Sequence, residues 1–261
     1  MPERAKGLII DLDGTVFRGD SFIPGAADAI RRAAASGRRI VYLSNRGNMD
    51  RDAVRKKLSD GGIAADREDI LLSSSVAATF LSRYYRRIRV WTLGEEGLRE
   101  ELRLAGVPLA DKPEEADWLV ISLHERVTYE ELNDAFKAAR SGARILATNA
   151  DRSFPRQDGA AIDVAGMIGA ITSTTGRPVD IVVGKPGWLM AEAALGRLQL
   201  EPDECLVIGD SLESDIALGR MFGMKTALVL TGSTSAAKAE ASRHKPDYIW
   251  PSIAELGRYL D

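Results

Sequence analysis

The sequence predicts an α/β fold built on a mainly parallel sheet. Short β-like apolar runs alternate with helical segments almost throughout the chain, the pattern of strand–helix–strand units. Four of the apolar runs end in polar loops, and a middle third repeats the alternation with its own set of strands and helices.

Gly7–Leu8–Ile9–Ile10 reads as a buried strand ending at Asp11. Pro24–Gly25 opens a helix that runs to about Ser36 and is closed by Gly37, the asymmetry expected of helix ends. A second strand, Arg39 to Leu43, ends at Ser44, and helices follow near Asp50–Leu58 and Val76–Tyr85. In the middle third, strands are expected at Arg89–Thr92, Trp118–Ile121 and Arg144–Ala147. Between and after them come helices at Glu95–Ala105, Thr128–Arg140 and Ala165–Thr175. Thr128 followed three residues later by Glu131 is a capping-box start. The last part carries a strand at Ile181–Val183, a helix from Gly187 to Leu198 and a strand at Cys205–Ile208. A helix near Leu212–Arg220 and a strand at Thr226–Leu230 complete it.

Composition excludes several classes. With 45% apolar and 28% charged residues over 261 positions, the chain has the balance of a globular protein rather than a disordered one. The net charge is only −3. The densest basic stretch, Arg83 to Arg87, continues a helical pattern and reads as a solvated helix end, so no nucleic-acid partner is expected. The single cysteine, Cys205, rules out an internal disulfide framework and sits in a buried-strand run, which suits a reducing compartment. The segment before Asp11 is too short in apolar residues for a signal peptide. The longest apolar-rich stretch, Ile70 to Leu81, is roughly a dozen residues, against the roughly 20 that a bilayer requires. The expectation is a cytoplasmic protein with no membrane contact.

Ligands of open parallel sheets bind outside the carboxyl ends of the strands. Four such ends are polar here: Asp11-Leu12-Asp13-Gly14-Thr15, Ser44-Asn45-Arg46-Gly47, Gly184-Lys185-Pro186, and Gly209-Asp210-Ser211-Leu212-Glu213-Ser214-Asp215. Extended geometry would place Asp11 and Asp13 on one side of the chain. Two carboxylates held together repel unless a cation or a shared proton relieves them. With Asp210 as a further oxygen ligand, the set suits Mg²⁺; a pair of solvated turn aspartates is the other reading. Lys185 would balance the charge of a phosphate monoester, about −1.5 to −2 at neutral pH. Taken alone it could equally be a surface lysine. Ser44, Asn45 and nearby backbone amides are donors suited to phosphate oxygens, although such clusters also simply cap helices.

Other catalytic plans fail on inventory. The two histidines, His124 and His244, lie in different regions with no partner nucleophile motif, which argues against a Ser-His-Asp triad. A Walker A loop would need glycine where Val179 stands and Ser or Thr where Pro186 stands. No Gly-x-Gly-x-x-Gly follows the first strand, and no Cys/His cluster could hold zinc.

At these four loops the sequence resembles the phosphatase branch of the haloacid dehalogenase superfamily. Asp11-Leu12-Asp13-Gly14-Thr15-Val16 looks like its first motif, Ser44-Asn45 its second, Lys185 its third, and Gly209-Asp210 with Asp215 its fourth. The insertion between the second and third motifs resembles the C2-type α/β cap of the NagD-like subfamily. The resemblance implies a Rossmann-like, doubly wound core over residues 1–78 and 182–261, with a smaller α/β cap over 79–181 that sets specificity and pairs subunits into a homodimer. It implies that Asp11 is the nucleophile and forms an aspartyl-phosphate. Asp13 would be the acid–base and would bind Mg²⁺ through its carbonyl. Ser44 and Lys185 would hold the phosphoryl group beside Asn45 and Arg46. Asp210 would complete the metal shell, Asp215 would support it or orient Lys185, and Thr15 would have a supporting role. Many relatives have Asn where Arg46 stands, so Arg46 either contacts substrate or pairs with an acidic cap residue. Many carry Arg where Ser211 stands, which leaves the hydrogen bonding around Asp210 open. In the cap, Asn149, Asp151 and Asp163 either face the leaving group or form a turn and a helix start.

The expected activity is hydrolysis of small phosphate monoesters, sugar phosphates among them, with broad selectivity. A phosphomutase, or a non-catalytic module that uses phosphate as a signal, shares the aspartates. Steady turnover is what separates them.

Overall fold

The computed structural model describes residues 5–156 and 159–260. The chain opens with β1 (Gly7–Ile10), β2 (Phe17–Arg18), β3 (Ser21–Phe22), α1 (Ala26–Ala35), β4 (Arg39–Ser44), α2 (Arg51–Asp60), β5 (Ile70–Leu72) and α3 (Ser73–Tyr84). It continues with β6 (Val90–Leu93), α4 (Glu96–Leu104), β7 (Trp118–Ile121), α5 (Tyr129–Arg140), β8 (Arg144–Ala147), β9 (Ser153–Arg156), β10 (Gly159–Ile162), α6 (Val164–Thr175) and β11 (Ile181–Val182). Then follow α7 (Trp188–Leu198), β12 (Cys205–Gly209), α8 (Ala217–Met221), β13 (Lys225–Val229), α9 (Ala236–Ala241) and β14 (Tyr248–Trp250). No helix among the described residues is long and apolar enough to cross a membrane.

The chain divides into two compact units. The first gathers the chain up to Ser44, Val54–Leu71 and the chain from Lys185 onward; the second is Asn45–Ala53 with Leu72–Gly184. The expected boundary at 78/79 falls inside α3, and that whole helix lies in the second unit. The expected start of the returning core at 182 falls three residues before the boundary found. The reason is β11, which pairs with β8 in the second unit's sheet.

In the first unit the sheet order is β14-β13-β12-β1-β4-β5. β1 pairs in parallel with both β12 and β4, and β13 with both β12 and β14. Successive strands therefore leave β1 first on one side and then on the other, a doubly wound arrangement whose switch point lies between β1 and β12. Leu8, Ile9 and Ile10 are fully buried, as a strand covered on both faces requires, and this is why β1 reads as an unbroken apolar run. Asp11 and Asp210 leave the sheet at that switch point, one after β1 and one after β12.

The second unit carries the order β11-β8-β7-β6, all parallel. α5 and α6 pack on the sheet through Ala135, Ala138, Val164 and Ile171 against Leu119 and Ile145. α5 starts as the Thr128-x-x-Glu131 spacing predicts. The Glu131 N–H donates to Thr128 Oγ1 at 3.2 Å, and the Thr128 N–H donates to Glu131 Oε2 at 2.8 Å. Arg51 at the start of α2 is fixed within this unit by Glu101. That carboxylate, 1% exposed, accepts the Arg51 backbone N–H at 2.8 Å and the guanidinium at 2.9 Å.

Candidate active site

The site in the first unit is assembled from strand ends. Asp11 is the residue after β1, and its N–H still donates to Ile208 O of β12 at 2.9 Å. The chain then turns at once: the Val16 N–H donates to Leu12 O at 2.8 Å, and Gly14 sits at φ +85°. Asp13 thus stands inside the turn that Leu12 opens, where it makes a β-bridge to Phe17. Thr15 Oγ1 donates to Asp11 Oδ2 at 3.0 Å, which holds the carboxylate from the turn side.

Lys185 meets Asp11 from the other side. Its Nζ donates to Asp11 Oδ1 at 2.6 Å, Asp215 Oδ1 at 2.7 Å and the Leu43 carbonyl at 2.9 Å. These are three donors on three acceptors, the full capacity of an ammonium group. Asp215 reaches this position because the expected helix from Leu212 opens as a π turn, Leu212–Ile216, before α8. Such turns are frequent at functional sites. The Ser211 N–H donates to Asp215 Oδ2 at 3.1 Å, and Gly209 leaves room for the carboxylate.

Asp210 is cradled by two glycines. A Cβ on Gly14 would lie 2.6 Å from Asp210 Oδ2, and a Cβ on Gly232 would overlap the same carboxylate. Ser233 donates its N–H to Asp210 Oδ2 and its hydroxyl to the Asp210 carbonyl. The sequence reading passed over this Thr231–Ser233 loop. The signal was there, since Thr231-Gly232-Ser233 follows the apolar run Thr226–Leu230 as a fifth polar strand end.

Among the described residues, Asp11, Asp210 and Asp215 form the acidic group able to hold a metal, with ligand oxygens all within 4.8 Å of one another. Asp13, half-buried, is not a member; Asp215 takes the third place. All three acids and Lys185 are buried. Burial, Asp215 and Asp210 together outweigh the pull of Lys185 and raise the Asp11 pKa well above the carboxylate range. Burial and Asp215 push Asp210 up to about 6. For Lys185, burial alone would favour the neutral amine, but Asp11 and Asp215 overcome it, and its pKa is raised. Lys185 is a permanent cation here.

Ser44 ends β4 and is buried. The remaining residues singled out in the sequence lie in the second unit. Asn45 Nδ2 donates to Asp151 Oδ2 at 2.9 Å, and Asn149 Nδ2 donates to the Asn45 carbonyl at 2.9 Å. Arg46 Nη1 lies 3.5 Å from Met49 Sδ. Asp163 caps α6, accepting the Val164 N–H at 2.7 Å.

A family model described as haloacid dehalogenase-like hydrolase matches residues 8–108, and a second, HAD-hydrolase-like, matches 182–256. Sugar-phosphatase AraL of Bacillus subtilis (strain 168) is 58% identical over 260 residues, covering 100% of this chain and 95% of that protein. The chain is a haloacid dehalogenase-like hydrolase. As such it is an enzyme, a phosphoric monoester hydrolase. Two solved structures of this type extend the likeness. The p-nitrophenyl phosphatase from Archaeoglobus fulgidus superposes with a TM-score of 0.92 at 35% identity, covering 97% of this chain and 98% of that one. The glycerol phosphate phosphatase of Mycobacterium tuberculosis, in complex with calcium, gives 0.87 at 28% identity, covering 98% and 75%.

Members of this hydrolase family generally use a divalent metal, and the residues here fit one. Three buried carboxylates face one ammonium, so negative charge remains in a poorly solvated place, and all the donor atoms are the hard oxygens that such cations prefer. A stability test follows for the metal-free enzyme. Asp210 binds a proton more tightly folded than unfolded. Its contribution is therefore intact below the unfolded carboxylate pKa and is lost as pH rises through about 6. Urea unfolding in chelator should show the parent losing about 2–3 kcal/mol relative to Asp210→Asn between pH 4 and 6.5. A parent that gains stability over that range relative to the variant would contradict the electrostatics described.

Proposed function

We propose that the chain hydrolyses small sugar phosphates and related monoesters with broad selectivity, using Mg²⁺ and a phosphorylated Asp11 intermediate, in the cytoplasm. The observation that carries this reading is the Asp11 carboxylate held 2.6 Å from a permanently charged Lys185 at the switch point of the sheet. The sugar-phosphate preference draws its support from the likeness to AraL.

In the first step an Asp11 oxygen forms a bond to phosphorus while the ester P–O bond breaks, and Asp13 gives its proton to the departing alkoxide. In the second, Asp13 takes a proton from water, the water oxygen bonds to phosphorus, and the Asp11–phosphorus bond breaks to release inorganic phosphate. Half-buried Asp13 suits a group that must exchange protons with solvent between steps. Lys185 and Ser44 hold the transferring group, with Asn45 and Arg46 next in the chain. Thr15 and Asp215 keep Asp11 and Lys185 oriented through the bonds described. Asp11 and Asp210, with the Asp13 carbonyl, would hold Mg²⁺, which when bound supplies Lewis-acid stabilisation of the phosphoryl oxygens. We assign substrate selection and a homodimer contact to the second unit.

Steady release of phosphate from a panel of phosphorylated metabolites, requiring Mg²⁺, is the expected result. A stoichiometric burst with no turnover would mark a phosphate-responsive switch, and transfer to a second sugar without phosphate release would mark a mutase; either outcome removes the reading. Asp13→Asn should lower turnover by about 10²–10⁴-fold and flatten the pH–rate profile. A variant profile that superimposes on the parent's would remove Asp13 from the acid–base role.

A further inference from the structure

The chain passes between its two units at Ser44–Asn45, Ala53–Val54, Leu71–Leu72 and Gly184–Lys185. Within the second unit, segments from three of these passages converge on one hydrogen-bonded node. The Asn45 carbonyl accepts from Asn149 Nδ2 at 2.9 Å and from Ser73 Oγ at 2.8 Å. Asn45 Nδ2 donates to Asp151 Oδ2 at 2.9 Å, and the Asp151 N–H donates back to Asn149 Oδ1 at 2.9 Å.

Gly184 closes the node. A Cβ there would stand 2.7 Å from the Thr148 carbonyl and 2.8 Å from both Asn149 Cβ and Asn45 Oδ1. One of those neighbours is backbone, so no side-chain rotation relieves the overlap. Asn149 is 3% exposed, and both its amide oxygen and its amide nitrogen are engaged inside the node. It has the surroundings of a strut rather than of a group turned toward a ligand.

Two of the converging segments lie one peptide bond from residues that hold the phosphoryl group in the mechanism above. Asn45 follows Ser44, and Gly184 precedes Lys185. We infer that Asn149, with Asp151 and Gly184, is a positioning residue for Ser44 and Lys185 and makes no contact with the leaving group. The inference rests on the phosphatase mechanism proposed above. Its physical basis is the steep dependence of group transfer on placement, where an error of about 1 Å costs about 10²-fold.

The test uses Asn149→Ala and Gly184→Ala in the full-length enzyme with Mg²⁺. The substrates are two esters with unlike leaving groups, p-nitrophenyl phosphate and a hexose phosphate. Both variants should lose about 10- to 100-fold in kcat, by the same factor for the two esters, when assayed well below their own melting temperatures. A change in the ratio of kcat/KM between the esters would place Asn149 against the leaving group and overturn the inference, as would an unchanged kcat. Asp151 offers a second route should Asn149→Ala not fold. Asp151→Asn keeps an acceptor for Asn45 and should retain most activity, whereas Asp151→Ala should not. Equal losses in that pair would also overturn the positioning role. Asp11→Asn reports separately on the underlying mechanism. If it abolishes turnover while the node variants leave kcat intact, only the positioning role fails; if it retains turnover, the mechanism itself fails.

Discussion

Asp11→Asn should abolish turnover, by about 10⁴-fold or more, while leaving the fold intact. The amide cannot form the acyl phosphate, yet it matches the carboxylate in shape, and its oxygen can still accept the Lys185 ammonium. The physical chemistry of the cluster adds a second outcome. In the metal-free enzyme Asp11 is a buried carboxylate pushed up by desolvation and by Asp215 and Asp210, so neutralising it removes repulsion. The variant should melt at or above the parent's temperature in chelator and gain less than the parent from added Mg²⁺. Retention of more than about a tenth of parental activity would rule out Asp11 as the nucleophile.

Lys185→Met should have the largest effect on stability. The ammonium is the shared partner of two buried carboxylates and a backbone carbonyl. Removing one member of a buried ion pair costs about 3–5 kcal/mol, because the remaining charges lose their compensation. Activity should fall with it, since the ammonium no longer helps to offset the meeting of two anions. The sign of the pH dependence is fixed by the same argument. Without Lys185, Asp11, already pushed up by burial and by Asp215 and Asp210, holds its proton more tightly still, so the native state binds more protons and is stabilised by acid. In urea unfolding the deficit should be greatest at neutral pH and shrink toward pH 4–5. A deficit that grows on acidification, or none at neutral pH, would contradict the assignment of Lys185 as the central cation.

Elements buried on both faces were legible in the sequence, because their environment leaves a continuous apolar signature. β1, β7 and β8 fall where the sequence puts them, and α5 carries its start signal in Thr128 and Glu131. What escaped was set by short range or by distant partners. The ribbon of β2 and β3 has two residues per strand, too few for any period to register. β5 runs straight into α3 with no Gly or Pro between them, so the two read as one apolar stretch. In the pair β9 and β10, a proline and small residues hide the alternation.

The site divides in the same way. Asp11, Asp210 and Lys185 announced themselves as polar residues at strand ends. The turn that carries Asp13, beginning at Leu12, has no local signature beyond Gly14. Asp215 enters the acidic group only because the chain after Ser211 opens into a π turn and folds the carboxylate back onto Gly209 and Lys185. The sequence marks Asp215 as part of the fourth polar loop but carries no sign of that turn. Likewise, nothing in the spelling of Asn149 or Asp151 shows that their partner is Asn45, more than a hundred positions earlier.

The Arg51–Glu101 pair bears on how modules could be exchanged among related hydrolases. A graft cut at the obvious ends, 72 and 184, would carry Glu101 into its new host but leave Arg51 behind in the old one. The transplanted piece would then keep an anion sealed in its interior with its counter-ion missing. A chimera that also imports residues 45–53 brings the guanidinium with it and should express as a folded protein where the shorter graft does not.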